Sequence, residues 1–172
     1  GMRDLVAALS GGQVANRDAQ GTTPLMQAAY NNQSETVAAL LQADNTNINE
    51  LNDAGMSALL LAAGHSNIGV VEMLIKNGAD VNLRLLNGNS PLHYVANLGN
   101  KFIGKLLLDA GAEINARNSE SETPLIVAAM GGQNDFTALL IEAGADVNAT
   151  DNGGRSALAY ASERGFTEIV EQ

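Results

Sequence analysis

Cysteine is absent from the sequence. That removes disulfides, a thiolate nucleophile and zinc–thiolate chemistry together, and it makes a reducing, cytoplasmic interior the natural home. No run approaches the ~18 apolar residues that a membrane helix needs, so no membrane partner is expected. Met2 to Leu9 has neither the length nor the flanks of a secretory signal. Gly1 ahead of Met2 reads as a remnant of tag cleavage, which leaves a signal removed upstream compatible with the sequence. Basic charge is also scarce. Nine Lys and Arg against 19 Asp and Glu give a net charge of −10, which repels polyphosphate and excludes nonspecific nucleic-acid binding. Charge of this size also favours a soluble monomer. At 45% apolar and 16% charged residues, the chain is long and apolar enough to bury a substantial core, and a single domain over residues 1–172 is expected.

Catalytic constellations are missing too. Histidine occurs only as His65 and His93, which are not at metal spacing. There is no Gly-x-Ser-x-Gly elbow. The glycine pairs Gly11-Gly12, Gly131-Gly132 and Gly153-Gly154 lack the Lys-Ser/Thr or the strand-then-helix setting of a phosphate loop, and they read as caps and turns. Asp80, Glu113 and Asp146 each precede a Val or Ile expected to point inward, which marks them as structural. No catalytic, cofactor or metal site is therefore expected, and the chain is not read as an enzyme. Asn32 and Asn148 lie in Asn-x-Ser/Thr sequons and are read as unmodified.

What is present is a stretch written several times. From Gly78 to His93 the chain reads Gly-Ala-Asp-Val-Asn-Leu-Arg-Leu-Leu-Asn-Gly-Asn-Ser-Pro-Leu-His. Gly78 ends a helix, because a residue without Cβ sits freely in the left-handed cap conformation. Val81 points inward, Asn82 begins a turn and Gly88 ends it. Ser90 can accept from free N–H groups at a helix start, and Pro91 fits the first helical position, where its missing N–H costs nothing. The stop recurs as Gly111-Ala-Glu-Ile-Asn115 and Gly144-Ala-Asp-Val-Asn148. The start recurs at Thr23-Pro24-Leu25, Ser57-Ala58-Leu59, Thr123-Pro124-Leu125 and Ser156-Ala157-Leu158. The starts are thus spaced 34 residues apart once and 33 thereafter.

A period near 33 with a Thr-Pro-Leu-His-like signature resembles the ankyrin repeat, a hairpin followed by two antiparallel helices. The resemblance covers roughly Gly11 to Gln172. It implies an all-α ankyrin-repeat solenoid of stacked helix-turn-helix units with protruding β-hairpin or turn loops. It also implies a protein partner. For His93, in the His place of the signature, it implies a structural hydrogen bond near the helix start. Met26, Leu60, Ile126 and Ala159 hold that place elsewhere, so the bond is not expected to be general.

The expected divisions are a half-repeat cap at 2–15, repeats at 17–49, 50–82, 83–115 and 116–148, and an incomplete repeat at 149–172. Met2, Leu5, Val6 and Leu9 form the apolar stripe of the cap. In the first repeat an inner helix is expected near Thr23 to Tyr30 and an outer one near Ser34 to Ala43, with Asn45 standing in for the capping glycine. The inner helices carry small pairs, Ala28-Ala29, Ala62-Ala63, Val95-Ala96, Ala128-Ala129 and Ala161-Ser162. The complete outer helices carry bulky pairs, Leu40-Leu41, Leu74-Ile75, Leu107-Leu108 and Leu140-Ile141. Narrow inner packing and wide outer packing should curve the stack and leave a concave face of hairpins and inner helices. Gly104 falls inside the third outer helix, where its equivalents are Val37, Val71, Thr137 and Val170. Glycine there costs roughly 1 kcal/mol against alanine. The third repeat is therefore expected to open first, which hydrogen exchange can check.

In ankyrin repeats the positions that vary from copy to copy, on hairpin tips and exposed inner-helix ends, hold the partner. By that resemblance the partner-binding residues are Arg17, Leu51, Asp53, Met56, Arg84, Leu86, Arg117, Glu120 and Arg155 on hairpins. Tyr30, His65, Leu98 and Met130 join them from the inner helices. The third hairpin, Leu83-Arg84-Leu85-Leu86, is apolar at its tip. Asp18, Asn52, Asn118 and Asp151 hold the place of Leu85 elsewhere, so Leu85 gives up the turn bond that an Asx side chain makes and is expected to expose a hydrophobe. These leucines either form an anchor patch with Leu51, Met56, Leu98 and Tyr30 or pack on neighbouring hairpins. Arg17, Arg84, Arg117, Arg155 and Arg164 fall on the same side, as do Asp53, Glu120 and Glu122, giving a mixed face. The function expected is non-catalytic capture of a partner protein through the concave face. The alternative is a regulatory or targeting ankyrin domain of a larger enzyme or secreted effector or toxin, suggested by the ending at Gln172 partway along an outer helix.

Overall fold

The computed structural model describes residues 18–43 and 46–163. The expected cap, Arg17, Asn45, Arg164 and the end at Gln172 lie outside those residues. Contacts divide the chain into two compact units, Gly1–Asp80 and Val81–Gln172.

In the first unit the helices are α1 (Pro24–Tyr30), α2 (Ser34–Leu41), α3 (Ala58–Gly64) and α4 (Ile68–Lys76). In the second they are α5 (Pro91–Leu98), α6 (Lys101–Asp109), α7 (Pro124–Met130), α8 (Asn134–Glu142) and α9 (Ala157–Glu163). Odd-numbered helices are inner and even-numbered ones outer. Helix α2 stops at Leu41, two residues short of expectation, with Gln42 and Ala43 forming a turn.

Each start is built as the sequence suggests. The hydroxyls of Thr23, Ser57, Ser90 and Thr123 accept from the N–H three residues on, each at 3.3 Å. Such a cap is worth about 1 kcal/mol. Pro24, Pro91 and Pro124 take the first helical positions. Outer helices begin differently: among them only Asn100 caps with its side chain, accepting from the N–H groups of Phe102 and Ile103. Asn67 and Gln133 instead donate to carbonyls near the end of the inner helix one repeat earlier, Ala29 on α1 and Asn97 on α5, at 2.9 and 3.0 Å.

Within the first unit α1 packs on α3 and α2 on α4. Within the second, α5 packs on α7, α7 on α9 and α6 on α8. The small pairs on α1, α3, α5 and α7 are fully buried, which lets neighbouring backbones approach closely. Of the pair on α9, Ala161 is buried and Ser162 is exposed. Of each bulky pair only the first residue, Leu40, Leu74, Leu107 or Leu140, is core; its neighbour is half-buried.

A hydrogen bond that the pattern does not announce stitches successive repeats. The side-chain oxygens of Asn49, Asn82 and Asn115 accept from the backbone N–H of Asp80, Glu113 and Asp146 at 2.8, 2.9 and 2.9 Å. Those acidic positions thus serve the fold through their backbone, and their side chains stay exposed. The inward residue that follows is core at Val81 and half-buried at Ile114, but the expectation fails at Val147, which is 47% exposed.

Candidate partner-binding surface

The hairpins are tight turns rather than laddered strands, with one isolated bridge, Thr150 to Ser156, among the described residues. All five share one construction. The N–H of Asp18, Asn52, Leu85, Asn118 and Asp151 donates to the carbonyl four residues on, and the N–H three residues on donates back. In four of the five the first side chain completes the turn. The Oδ1 atoms of Asp18, Asn52, Asn118 and Asp151 each accept two backbone N–H groups, at 2.9 or 3.0 Å. The Thr22 N–H holds the exposed Asp18 carboxyl below the usual carboxylate range.

The third turn does without this device. Leu85 offers no acceptor, and Asn87 Oδ1 takes over one bond, accepting from the Asn89 N–H at 3.0 Å. Leu85 itself is half-buried, contrary to the expectation that it is the exposed hydrophobe. The exposed residue is its neighbour Leu86, at 82%. A glycine is needed just beyond, since a Cβ on Gly88 would lie 2.9 Å from the Ser119 backbone nitrogen of the next turn.

The hairpin arginines are tied into the framework. Arg84 Nη1 donates to the carbonyl of Gly88 in its own turn at 2.9 Å and of Arg117 in the next at 2.8 Å. Arg117 repeats the pattern with Ser121 at 3.0 Å and Thr150 at 2.8 Å. Arg84 also lies 3.7 Å from the Glu113 carboxylate. Arg155 pairs with Glu163 at 3.0 Å and stands over the Tyr160 ring. Tyr160 O–H donates to Asp151, the largest of the effects holding that carboxyl low. All three arginines remain exposed, so each can still cover apolar surface with its stem.

Two expected residues of the first unit meet directly. Tyr30, 49% exposed, and His65 place their rings edge to face, 4.1 Å between centroids at 81°. In the same unit Leu51 and Met56 are half-buried, and Asp53 is exposed while its N–H donates to Gln20 of the preceding turn at 3.0 Å. In the second unit Leu98 is 43% exposed, Met130 is half-buried, and exposed Glu120 lends its carbonyl to the Asn152 N–H.

His93 is fully buried and has no role on this surface. Its Nε2 lies 2.6 Å from the Glu122 carbonyl, which can only accept, so Nε2 carries the hydrogen. Nδ1 then accepts from the Ser90 N–H at 3.1 Å, closing a reciprocal cap with the His93 N–H on Ser90 Oγ. Burial first, with the positive charge of Arg84 adding, holds the imidazole below its usual range against the upward pull of that carbonyl. The bond has one echo, because Met26 Sδ accepts from the Thr23 N–H at 3.4 Å.

One exposed aromatic falls outside the expected set. Phe102, on outer helix α6, is 63% exposed. Aligning the outer helices by register would have found it, since Glu35, Gly69 and Asp135 hold its place in the others.

Among the described residues no group of His, Cys, Asp or Glu could hold a metal ion, and no helix is long and apolar enough to cross a membrane. Recurring helix pairs, joined by like turns and stitched by like asparagines, define a helical repeat protein with an invariant framework and variable tips. The chain belongs to the ankyrin repeats: the family model of that description matches three times, over residues 1–85, 45–118 and 92–172. Repeats of this family bind other proteins and are typically non-catalytic.

Proposed function

We propose that this domain captures a partner protein through its hairpin tips and exposed inner-helix ends, with Leu86 as the principal anchor. The observation that carries the reading is the 82% exposure of Leu86, on the turn whose first residue is Leu85 rather than Asp or Asn. A large apolar side chain kept in water, where Ala19, Asp53, Ser119 and Asn152 stand in the other turns, is accounted for by what it buries on binding. Leu98 on α5 and Met130 on α7 extend apolar surface in the same unit. In the first unit the Tyr30–His65 ring pair, with Leu51, Asp53 and Met56, forms a second patch. Arg84, Arg117 and Arg155, anchored at their tips, present stiffened stems rather than free cations, so their contribution is packing as much as charge.

The domain is read as a monomer acting in the cytoplasm on protein partners. The net charge of −10 supports proteins over nucleic acid. A photo-crosslinking residue at position 86 should give a discrete adduct with one partner, and the same residue at exposed Glu35 on α2 should give none. Equal labelling from both positions contradicts the proposal.

A further inference from the structure

Apart from Ile68 and Lys76 at the two ends of α4, the exposed positions of the described outer helices are acidic or small except along one stretch of α6. Phe102 stands where the others have Glu35, Gly69 and Asp135. Lys105 stands where they have Ala38, Glu72 and Ala138. Two of the three lysines of a −10 chain therefore flank its most exposed described aromatic. Behind them lies an open hollow between α6 and α8, lined by Lys101, Phe102, Lys105, Leu106, Asp109 and Leu139. Its floor is apolar and its rim is charged.

The rim charges are held loosely. Lys101 Nζ is 3.9 Å from Asp135 and Lys105 Nζ is 3.7 Å from Asp109, and all four side chains are about half exposed or more. Exposed pairs at such distances contribute little and exchange readily for a better-placed carboxylate. Lys101 also sits 5.5 Å from the centroid of the Phe102 ring, so cation and ring already lie together at the edge of the hollow.

We propose that this hollow is a second protein-docking site, on the outer-helix side, for a short partner segment with an aromatic or long aliphatic residue flanked by carboxylates. The apolar side chain packs on Phe102, Leu106 and Leu139. The flanking carboxylates take Lys101 and Lys105 over from Asp135 and Asp109. The lining holds two lysines against one aspartate, Asp109, so a basic segment is repelled and the acidic one is favoured. The site is independent of the hairpin tips, so either can fail without the other.

The probe is the capped peptide Glu-Asp-Phe-Leu-Asp-Glu, titrated into the ¹⁵N-labelled protein, with Lys-Lys-Phe-Leu-Lys-Lys and Glu-Asp-Ala-Ala-Asp-Glu as controls. The expected result is saturable shifts confined to amides of 101–109 and 134–142, weakened by salt, with neither control matching it. Phe102→Glu should lower the affinity about tenfold, as loss of a central anchor does. Lys105→Glu should lower it as well. Both variants should fold, because Glu35 and Glu72 occupy these register positions in α2 and α4. The proposal is overturned by no saturable shift, by shifts centred on the turn at Leu86, by tighter binding of the lysine peptide, or by undiminished binding to Phe102→Glu. Concentration-dependent shifts of the same amides without peptide would assign the hollow to a second copy and overturn it too.

Discussion

Gly104 on α6 and Phe136 on α8 share one space: a Cβ on residue 104 would lie 2.5 Å from Phe136 Cε2 and 2.7 Å from Cζ. Phe136 is fully buried and is the largest such side chain among the described residues. In the other outer helices the register of Phe136 holds Thr36, Val70 and Ile103, while that of Gly104 holds Val37, Val71 and Thr137. Volume has moved from one helix to its neighbour, and the glycine that costs helix propensity makes room for the ring.

The exchange decides the sign of a common stabilising substitution. Gly104→Ala should destabilise by about 1–2 kcal/mol, because overpacking a filled core outweighs the propensity gain of roughly 1 kcal/mol. With Phe136→Val in the background, the same change should become neutral or favourable. Urea denaturation of the four proteins in this cycle measures the coupling, and additive effects would contradict it.

His93 makes stability depend on pH in a defined window. The unfolded imidazole titrates near its ordinary value of 6.5, while the folded one is held lower by burial. Above that value both are neutral, so the contribution is fully present. As pH falls below it the unfolded chain takes up a proton that the folded one refuses, and stability drops toward the folded pKa. The slope is at most about 1.4 kcal/mol per pH unit. His93→Met, the residue at this place in α1, should flatten the slope as pH falls below about 6.5; an unchanged slope would remove His93 as its cause.

Arg117 should matter for stability before any partner arrives. Its Nη1 bridges Ser121 and Thr150 of two successive turns, so Arg117→Ala leaves both carbonyls to water. A loss of about 1 kcal/mol in urea denaturation is expected. Undiminished stability would return Arg117 to the status of a free surface cation.

The framework was legible because its signals are local. A capping hydroxyl, a proline at the first helical position and a left-handed glycine each act within a few residues, and the 33-residue period multiplies them. The asparagine stitch, the arginine bridges and the fit of Gly104 to Phe136 escaped because they join residues about 30 apart whose types do not name each other. At the candidate site, the missing Asx at Leu85 was visible as a substitution. Which leucine would face water depended on the path of the turn, and the structure chose Leu86. Phe102 escaped because its register carries no framework residue in the other outer helices, and an aromatic type alone does not say whether the ring faces core or water.

The central claim is that a partner is held at the hairpin tips. Titration calorimetry of the protein crosslinked through position 86 against wild type and Leu86→Asp tests it most directly. An exposed substitution of this kind should leave the helical signal and stability within about 0.5 kcal/mol of wild type. The expected result is binding weakened at least about tenfold, the loss of one anchor residue. Equal affinity for the two proteins, with both folded, would contradict the account.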